Sequence, residues 1–106
     1  MNEGDAVFRA LVAAQRAARP VVLATVVDTR GSVPRHPGSR MLVDPEAGLV
    51  GTIGGGCGEA DVIEAARVAL RTGEPRLLRV ELTDQPESWS PAVCGGVMEV
   101  LVEPVT

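Results

Sequence analysis

The segment Gly51–Glu59, GTIGGGCGE, places Cys57 directly after three consecutive glycines, Gly54, Gly55 and Gly56. Glycine permits positive φ angles and lets another group approach the main chain closely. The pattern that follows predicts a helix start, where the first amides are unpaired donors with a partial positive charge. Both features favour a thiolate or a bound anion. The segment therefore predicts a site for a phosphate or another oxyanion.

The glycine run matches neither of the common nucleotide-binding motifs. It lacks the spacing of G-x-G-x-x-G within a long βαβ unit, and no Lys-Ser or Lys-Thr pair follows it. Nucleotide binding by those mechanisms is therefore not expected. A structural interpretation stays open, in which the glycines only permit a tight turn from a strand into a helix.

The second cysteine, Cys94, is followed by Gly95 and Gly96, which permit close approach by a ligand or by Cys57. Two cysteines and one histidine, without a C-x-x-C unit, leave the ligand set of a structural zinc site incomplete, so no metal site is predicted. Two interpretations of Cys94 remain. It either contacts a ligand or is a small buried residue at the start of a strand.

Charged groups near these segments could bind an anion or move a proton. Arg35 lies between a proline and the single histidine, with Arg30 and Arg40 on either side. A planar guanidinium binds phosphate or carboxylate through two hydrogen bonds, although each arginine could also be an ordinary surface residue. Glu59 opens the predicted helix, where the dipole alone favours a carboxylate. A second hypothesis is that Glu59 holds a proton for Cys57.

Hydrophobic periodicity predicts the elements that position these groups. A nearly continuous β-branched run predicts a central strand, and a segment with two prolines and two glycines predicts a shaped loop after it. In chain order the elements are a helix capped by Asp5 that ends near Arg19, a strand at Val21–Asp28, a loop at Thr29–Ser39, a hairpin of Met41–Val43 and Leu49–Val50, a helix at Gly58–Thr72, and strands at Leu78–Leu82 and Met98–Val102.

This order predicts an α+β fold with a single mixed β-sheet of about five strands and two main helices packed on it. The 106 residues are expected to form one domain, 1–106, with an aliphatic core, because the chain has one Trp, one Phe and no Tyr.

Composition and charge exclude several classes of function. The net charge is −4 and the ten basic residues, all arginines, form no cluster, which argues against nucleic acid and anionic membranes as partners. The longest apolar stretch, Val21–Val27, is too short to span a bilayer. The acidic N-terminal segment is unlike a secretory signal. We therefore expect a cytoplasmic protein with reduced thiols.

Three stretches taken together resemble the amino-terminal domain of the XdhC/CoxI family. They are ATVVDTRGSVPRHPGSRMLV from Ala24, GTIGGGCGEADVIEAA from Gly51, and VCGGVMEVLVEP from Val93. The ordered set G-S-x-P-R, G-x-x-M, G-G-G-C and C-G-G carries the resemblance, which spans nearly the whole chain. Members of this family are accessory proteins of molybdenum hydroxylases such as xanthine dehydrogenase and aerobic carbon monoxide dehydrogenase.

The resemblance implies a chaperone and not an enzyme. Such a protein binds the molybdenum cofactor (molybdopterin) transiently, protects it while a cysteine desulfurase installs its terminal sulfur, and delivers it to the hydroxylase apo-enzyme. The phosphate of molybdopterin suits amides and arginines, and its dithiolene-bound metal suits thiolates. The cofactor-binding positions that the resemblance implies are Ser32, Arg35, Gly54, Gly55, Gly56, Cys57, Glu59, Cys94, Gly95 and Gly96.

Longer family members continue into a second, dinucleotide-binding-like domain. The resemblance therefore implies either that this chain acts alone or with a separate protein of that kind, or that a cofactor site normally shared between the two domains is incomplete here. Ser88–Ala92 also differ from the glycine-containing segment expected before Cys94. We expect a symmetric homodimer formed through an aliphatic strand edge. Two other hypotheses stay open. One is a non-catalytic subunit that docks a desulfurase, a hydroxylase or a dinucleotide-binding protein, and the other is a redox or sulfur-carrying thiol protein.

Overall fold

The residues that the structure describes form a five-stranded β-sheet with one helix on each face. The computed structural model describes residues 3–31, 36–51, 58–81 and 96–105. Neither helix is long and apolar enough to cross a membrane, within these described ranges. The elements are α1 (Glu3–Arg16), β1 (Val21–Arg30), β2 (Arg40–Asp44), β3 (Gly48–Gly51), α2 (Glu59–Thr72), β4 (Arg76–Glu81) and β5 (Val97–Val105).

The strand order is β3-β2-β1-β5-β4. The predicted α+β class, with two helices on a five-stranded sheet, is confirmed. The sheet differs from the mixed one expected, because every pairing between the described strands is antiparallel. The chain crosses through α2 from β3 to β4, which point the same way, but three strands separate them. No parallel pair can therefore form at this crossover.

The central strand is β1, as its β-branched sequence predicts. Val22, Ala24 and Val26 are fully buried on the face that packs against α2. A bulge after Val26 shifts the register, and β1 then continues to Arg30, which pairs with Val97. The loop predicted from Thr29 therefore begins later, because β5 supplies partners for the extra residues.

The two faces of the sheet have separate hydrophobic clusters. On one face α2 packs its small residues against the strands, and on the other α1 packs against β1 and β2. Helix α1 begins at Glu3, so Asp5 lies in its first turn and not at the predicted cap position. The buried residues beneath the helices are Val22, Ala24, Val26, Met41, Val43, Val62, Ala65, Ala66, Ala69, Val80, Met98, Val100 and Val102 on the α2 face, and Val7, Ala14, Val21 and Leu42 on the α1 face.

The β2–β3 hairpin turns at Asp44, which is only 4 % exposed. One carboxylate oxygen of Asp44 accepts from the amides of Glu46 at 2.9 Å and Ala47 at 3.1 Å. The other accepts from Nη2 of Arg19 at 3.0 Å. Arg19 lies between α1 and β1, so this contact joins the hairpin to the start of the central strand. The turn that the sequence predicts between Asp44 and Gly48 is therefore confirmed.

Helix α2 ends where the sequence predicts, at a left-handed glycine. Gly73 has φ 75° and ψ 10°, and its N–H donates to the carbonyl of Ala69 at 2.8 Å. A Cβ added at Gly73 would meet no atom within 4 Å. Replacing Gly73 with another residue therefore costs free energy through the backbone conformation and not through a clash.

We expect Gly73→Ala to lower the free energy of unfolding by about 1 kcal/mol. Urea denaturation measures this change. Gly73→Asn is the matched control and should lose less stability, because asparagine tolerates the left-handed region better than alanine. Equal stability of the alanine variant and the wild type would show that the left-handed conformation is not required.

Candidate functional site

One end of the sheet collects the strand ends that border the candidate segments. Three strands finish there, at Arg30, Gly51 and Glu81, and two begin there, at Arg40 and Val97. The register shows this directly, because Val97 pairs with Arg30 on one side and with Glu81 on the other. We call this the loop end of the sheet.

The strands do not all reach equally far at the loop end. Thr25 pairs with Arg40 at the start of β2, whereas β1 continues to Arg30. At about 3.3 Å per residue, β1, β5 and β4 project roughly 16 Å beyond β2 and β3. The chain before β2 returns along this step, where the Val26 amide donates to the Ser39 carbonyl at 2.9 Å and the Gly38 amide donates to the Val26 carbonyl at 2.7 Å.

Most of the predicted cofactor-binding residues lie outside the described ranges. Glu59 and Gly96 are described. The ranges 32–35, 52–57 and 82–95, which hold the others, each follow a strand that ends at the loop end. The structure thus brings together the chain segments that flank the candidate residues. The residues outside the described ranges are Ser32, Arg35, Gly54, Gly55, Gly56, Cys57, Cys94 and Gly95.

Helix α2 begins two residues after Cys57, as predicted from the glycine run. The residue before the helix, Gly58, has φ 75° and ψ 0°, a left-handed conformation that glycine adopts readily. Its carbonyl accepts the first helical hydrogen bond, from the amide of Val62 at 3.2 Å. Gly58 has no side chain that could cap the helix. Neither a hydroxyl nor a carboxylate of the N-cap residue therefore lies at the positive end of the helix dipole.

The first turn of α2 lies toward the loop end. The helix stops at Thr72, shortly before β4 begins at Arg76, so helix and strand run in opposite directions. Fourteen residues make a helix about 21 Å long, which returns the chain along most of the sheet. Glu59 is the first helical residue and is half-buried. Gly96 is buried directly before β5, on the same end of the sheet.

The charged side chains at the loop end do not form a purely positive surface. Arg30 is exposed, and its register partner Val97 also pairs with Glu81, so arginine and glutamate share one face of the sheet. Asp28, also exposed, accepts a hydrogen bond from the amide of Thr29 at 3.0 Å. These described side chains therefore do not by themselves form a surface that attracts an anion.

The sequence suggests that Arg40 could bind an anion, but in the structure its guanidinium packs against a helix. Its guanidinium lies 5.3 Å from the ring centroid of Phe8 on α1. Through this cation–π contact Arg40 interacts with α1, which packs on the face of the sheet opposite α2. Arg40 is thus a packing residue for α1 in this structure. No group of three His, Cys, Asp or Glu side chains that could hold a metal occurs in the described part of the chain.

Thr29, predicted as the first residue of the loop, is a strand residue of β1 near this end of the sheet. Thr29 pairs with Met98, which pairs with Val80, so it shares the α2 face and is half-buried. It lies two residues before Gly31, which has φ 74°. Side chains continue to alternate between the two faces of the sheet past Val26. The bulge shifts this alternation by one residue, so the sequence pattern does not show it.

Comparison with known proteins agrees with the motifs at this end. A family model described as XdhC and CoxI family matches residues 14–81. The chain belongs to the XdhC and CoxI family. The matched range includes Arg35, the glycine run and Cys57, and it ends before Cys94. The resemblance predicted from the sequence is confirmed.

Two longer proteins are similar to this chain. The uncharacterized protein YqeB of Escherichia coli K12 is 41 % identical over 83 residues, which cover 78 % of this chain and 15 % of YqeB. A crystal structure described as a xanthine dehydrogenase from Bacillus halodurans matches with a TM-score of 0.78 and 30 % identity, over 100 % of this chain and 31 % of that one. This chain therefore spans well under half the length of either protein.

Proposed function

We propose that this protein is an accessory factor of a molybdenum hydroxylase, such as xanthine dehydrogenase or carbon monoxide dehydrogenase, and acts in the cytoplasm. It binds the molybdenum cofactor transiently, assists its sulfuration by a cysteine desulfurase and supports its insertion into the apo-enzyme. Membership of the XdhC and CoxI family supports this proposal. So does the solved relative described as a xanthine dehydrogenase.

The observation that carries the proposal is the common position of the strand ends. The segments with Arg35, Cys57 and Cys94 are far apart in the sequence, yet each follows a strand that ends at the loop end. Groups presented at one end of a sheet can contact one ligand, which groups on opposite sides of a molecule cannot. This arrangement is compatible with a single cofactor pocket formed by the segments that follow β1, β3 and β4.

The residue types of the candidate segments fit the chemistry of molybdopterin. The first turn of α2 and the amides of Gly54–Gly56 would hold its phosphate, because helix N-terminal amides bind anions. Arg35 would add a bidentate contact to the same group. Cys57 and Cys94 would lie near the dithiolene-bound metal, since soft ligands suit such a centre. When bound, the cofactor supplies the redox-active metal that the hydroxylase uses.

Cofactor retention tests this proposal. Purified protein is mixed under anaerobic conditions with cofactor released from a hydroxylase and then passed through gel filtration. We expect the protein fraction to retain a pterin, measured as its fluorescent oxidation product. Arg35→Ala should weaken retention about tenfold, because a charge-assisted hydrogen bond contributes about 1.5–3 kcal/mol. Cys57→Ala should weaken retention as well.

Arg71→Ala is the matched control, because Arg71 is an exposed arginine in the last turn of α2, away from the loop end. It should retain pterin as the wild type does. No retention by the wild type, with cofactor shown to be intact, would contradict the proposal. Retention that is unchanged in Arg35→Ala, Cys57→Ala and Cys94→Ala would contradict the residue assignments and favour a docking subunit that acts without its thiols.

A further inference from the structure

The chain returns to the sheet before β2 through a four-residue turn at 36–39. The Ser39 amide donates to the His36 carbonyl at 3.2 Å, which closes the turn. Pro37 is the second residue of the turn, and Gly38, with φ 96°, is the third. A type II turn has this form, because its third residue needs a positive φ and its second is commonly proline.

The turn is attached to the central strand through Val26. The Gly38 amide donates to the Val26 carbonyl at 2.7 Å, and the Val26 amide donates to the Ser39 carbonyl at 2.9 Å. The side chain of Val26 is fully buried on the α2 face. Met41, three residues after Gly38, is also fully buried and pairs with Ala24. Buried residues of the core therefore hold the exposed turn in place.

The G-x-x-M spacing, from Gly38 to Met41, has no part in the proposed function, and the turn gives it a physical reason. Gly38 permits the turn that attaches the chain to β1, and Met41 then places the chain in the larger hydrophobic cluster. A Cβ added at Gly38 would meet no atom of the described residues within 4 Å. Glycine is required there for the backbone conformation and not for space.

The turn is close in the chain to two of the candidate cofactor-binding residues. Strand β1 ends one residue before Gly31, and only residues 32–35 lie between Gly31 and His36. They include Ser32 and Arg35. The five residue-to-residue steps from Gly31 to His36 span at most about 18 Å. A shift of His36 therefore changes the positions that Ser32 and Arg35 can reach.

We propose that Gly38 is a positioning residue for cofactor binding. Its left-handed conformation attaches the chain to Val26 and so determines where the segment with Arg35 is presented. The inference rests on the proposed function, in which Arg35 binds the phosphate of molybdopterin. Gly38 acts through Arg35 and not through a contact of its own with the cofactor.

Pterin retention by the full chain, with cofactor released from a hydroxylase under anaerobic conditions, tests this inference. Gly38→Ala should weaken retention about fivefold, because a left-handed conformation is about that much less populated for alanine. Gly38→Asn should restore most of the retention, since asparagine tolerates this conformation better. In an Arg35→Ala background, Gly38→Ala should have no further effect, because the two residues act as a unit.

Gly73→Ala is the matched control. Gly73 is also a left-handed glycine with open space around it, but it lies at the far end of α2. Urea denaturation should show similar losses of stability in Gly38→Ala and Gly73→Ala, whereas Gly73→Ala should retain pterin as the wild type does. A difference in retention at equal stability separates positioning from a general loss of folding.

Amide hydrogen exchange gives a second measurement that needs no cofactor. The amides of Val26 and Ser39 should exchange faster in Gly38→Ala than in the wild type, and at the wild-type rate in Gly73→Ala. Unchanged exchange or unchanged retention in Gly38→Ala would overturn the inference and leave the proposed function standing. So would an equal loss of retention in Gly73→Ala, or a further fivefold loss in the Arg35→Ala background. No retention by the wild type would contradict the proposed function, and the inference with it.

Discussion

Replacing Met98 with alanine is expected to lower the free energy of unfolding by about 3 kcal/mol and the melting temperature by about 15 °C. Met98 is fully buried on β5, beneath α2, and belongs to the larger hydrophobic cluster. Its neighbours in register, Thr29 and Val80, are held by the sheet, so they cannot collapse fully into the cavity. Chemical denaturation and thermal unfolding measure both quantities.

Met98→Leu and Leu77→Ala are controls for this effect. Leucine nearly conserves the volume of methionine, so Met98→Leu should cost less than about 1.5 kcal/mol. Leu77 is mostly exposed on the neighbouring strand, so its truncation should change stability by no more than about 0.5 kcal/mol. A loss in Met98→Ala no larger than in Leu77→Ala would mean that Met98 is not packed as the structure shows.

Asp44→Ala is expected to lower the melting temperature by about 10 °C at neutral pH. The variant removes the acceptor of two backbone amides and the anionic partner of Arg19. Hydrogen bonds from the Glu46 amide and then the Ala47 amide hold the pKa of Asp44 below its usual range, Arg19 adds to this effect and burial opposes it. Asp44→Asn should lose less, because its side-chain oxygen can still accept from the turn.

The lowered pKa gives the difference between wild type and Asp44→Asn a definite pH dependence. The stability contributed by the charge is present above the unfolded-state pKa of about 3.9 and is lost as pH falls through the lower folded-state pKa. Thermal unfolding from pH 7 downward should therefore show the two melting temperatures converging below about pH 4. Asp28→Asn is the control, since Asp28 is exposed. A constant difference between wild type and Asp44→Asn at all pH values would contradict the assigned role of the charge.

Local chemistry made much of the fold predictable from the sequence. The β-branched run located the central strand, the Asp44–Gly48 turn located the hairpin, and Gly73 located the end of α2. Each of these features depends on residues that lie close together in the chain. The direction of β5 beside β1 does not depend on residues that are close in the chain. It is set by which apolar faces pack together across the whole molecule. The mixed sheet was therefore the wrong expectation.

The candidate site was predictable in its helix start and less so in its side chains. The sequence correctly indicated a helix start close after Cys57, but Gly58, predicted as the first helical residue, has a left-handed conformation and precedes α2. The role of Arg40 could not be inferred, since its contact with Phe8 joins a strand to a helix distant in sequence. The continuation of β1 to Arg30 was hidden by the bulge after Val26. Cys57 and Cys94 both lie outside the described residues.

The direction of β5 determines where this protein can be immobilised without covering the loop end of the sheet. Val105 pairs with Val21, at the far end of a nine-residue strand that starts beside Arg30. That strand carries the chain roughly 26 Å away from the loop end. A purification handle or surface linker joined after Val105 would leave the loop end of the sheet facing solution. One joined before Glu3 would emerge from the start of α1, nearer the segments to be probed, so biosensor measurements should use C-terminal immobilisation.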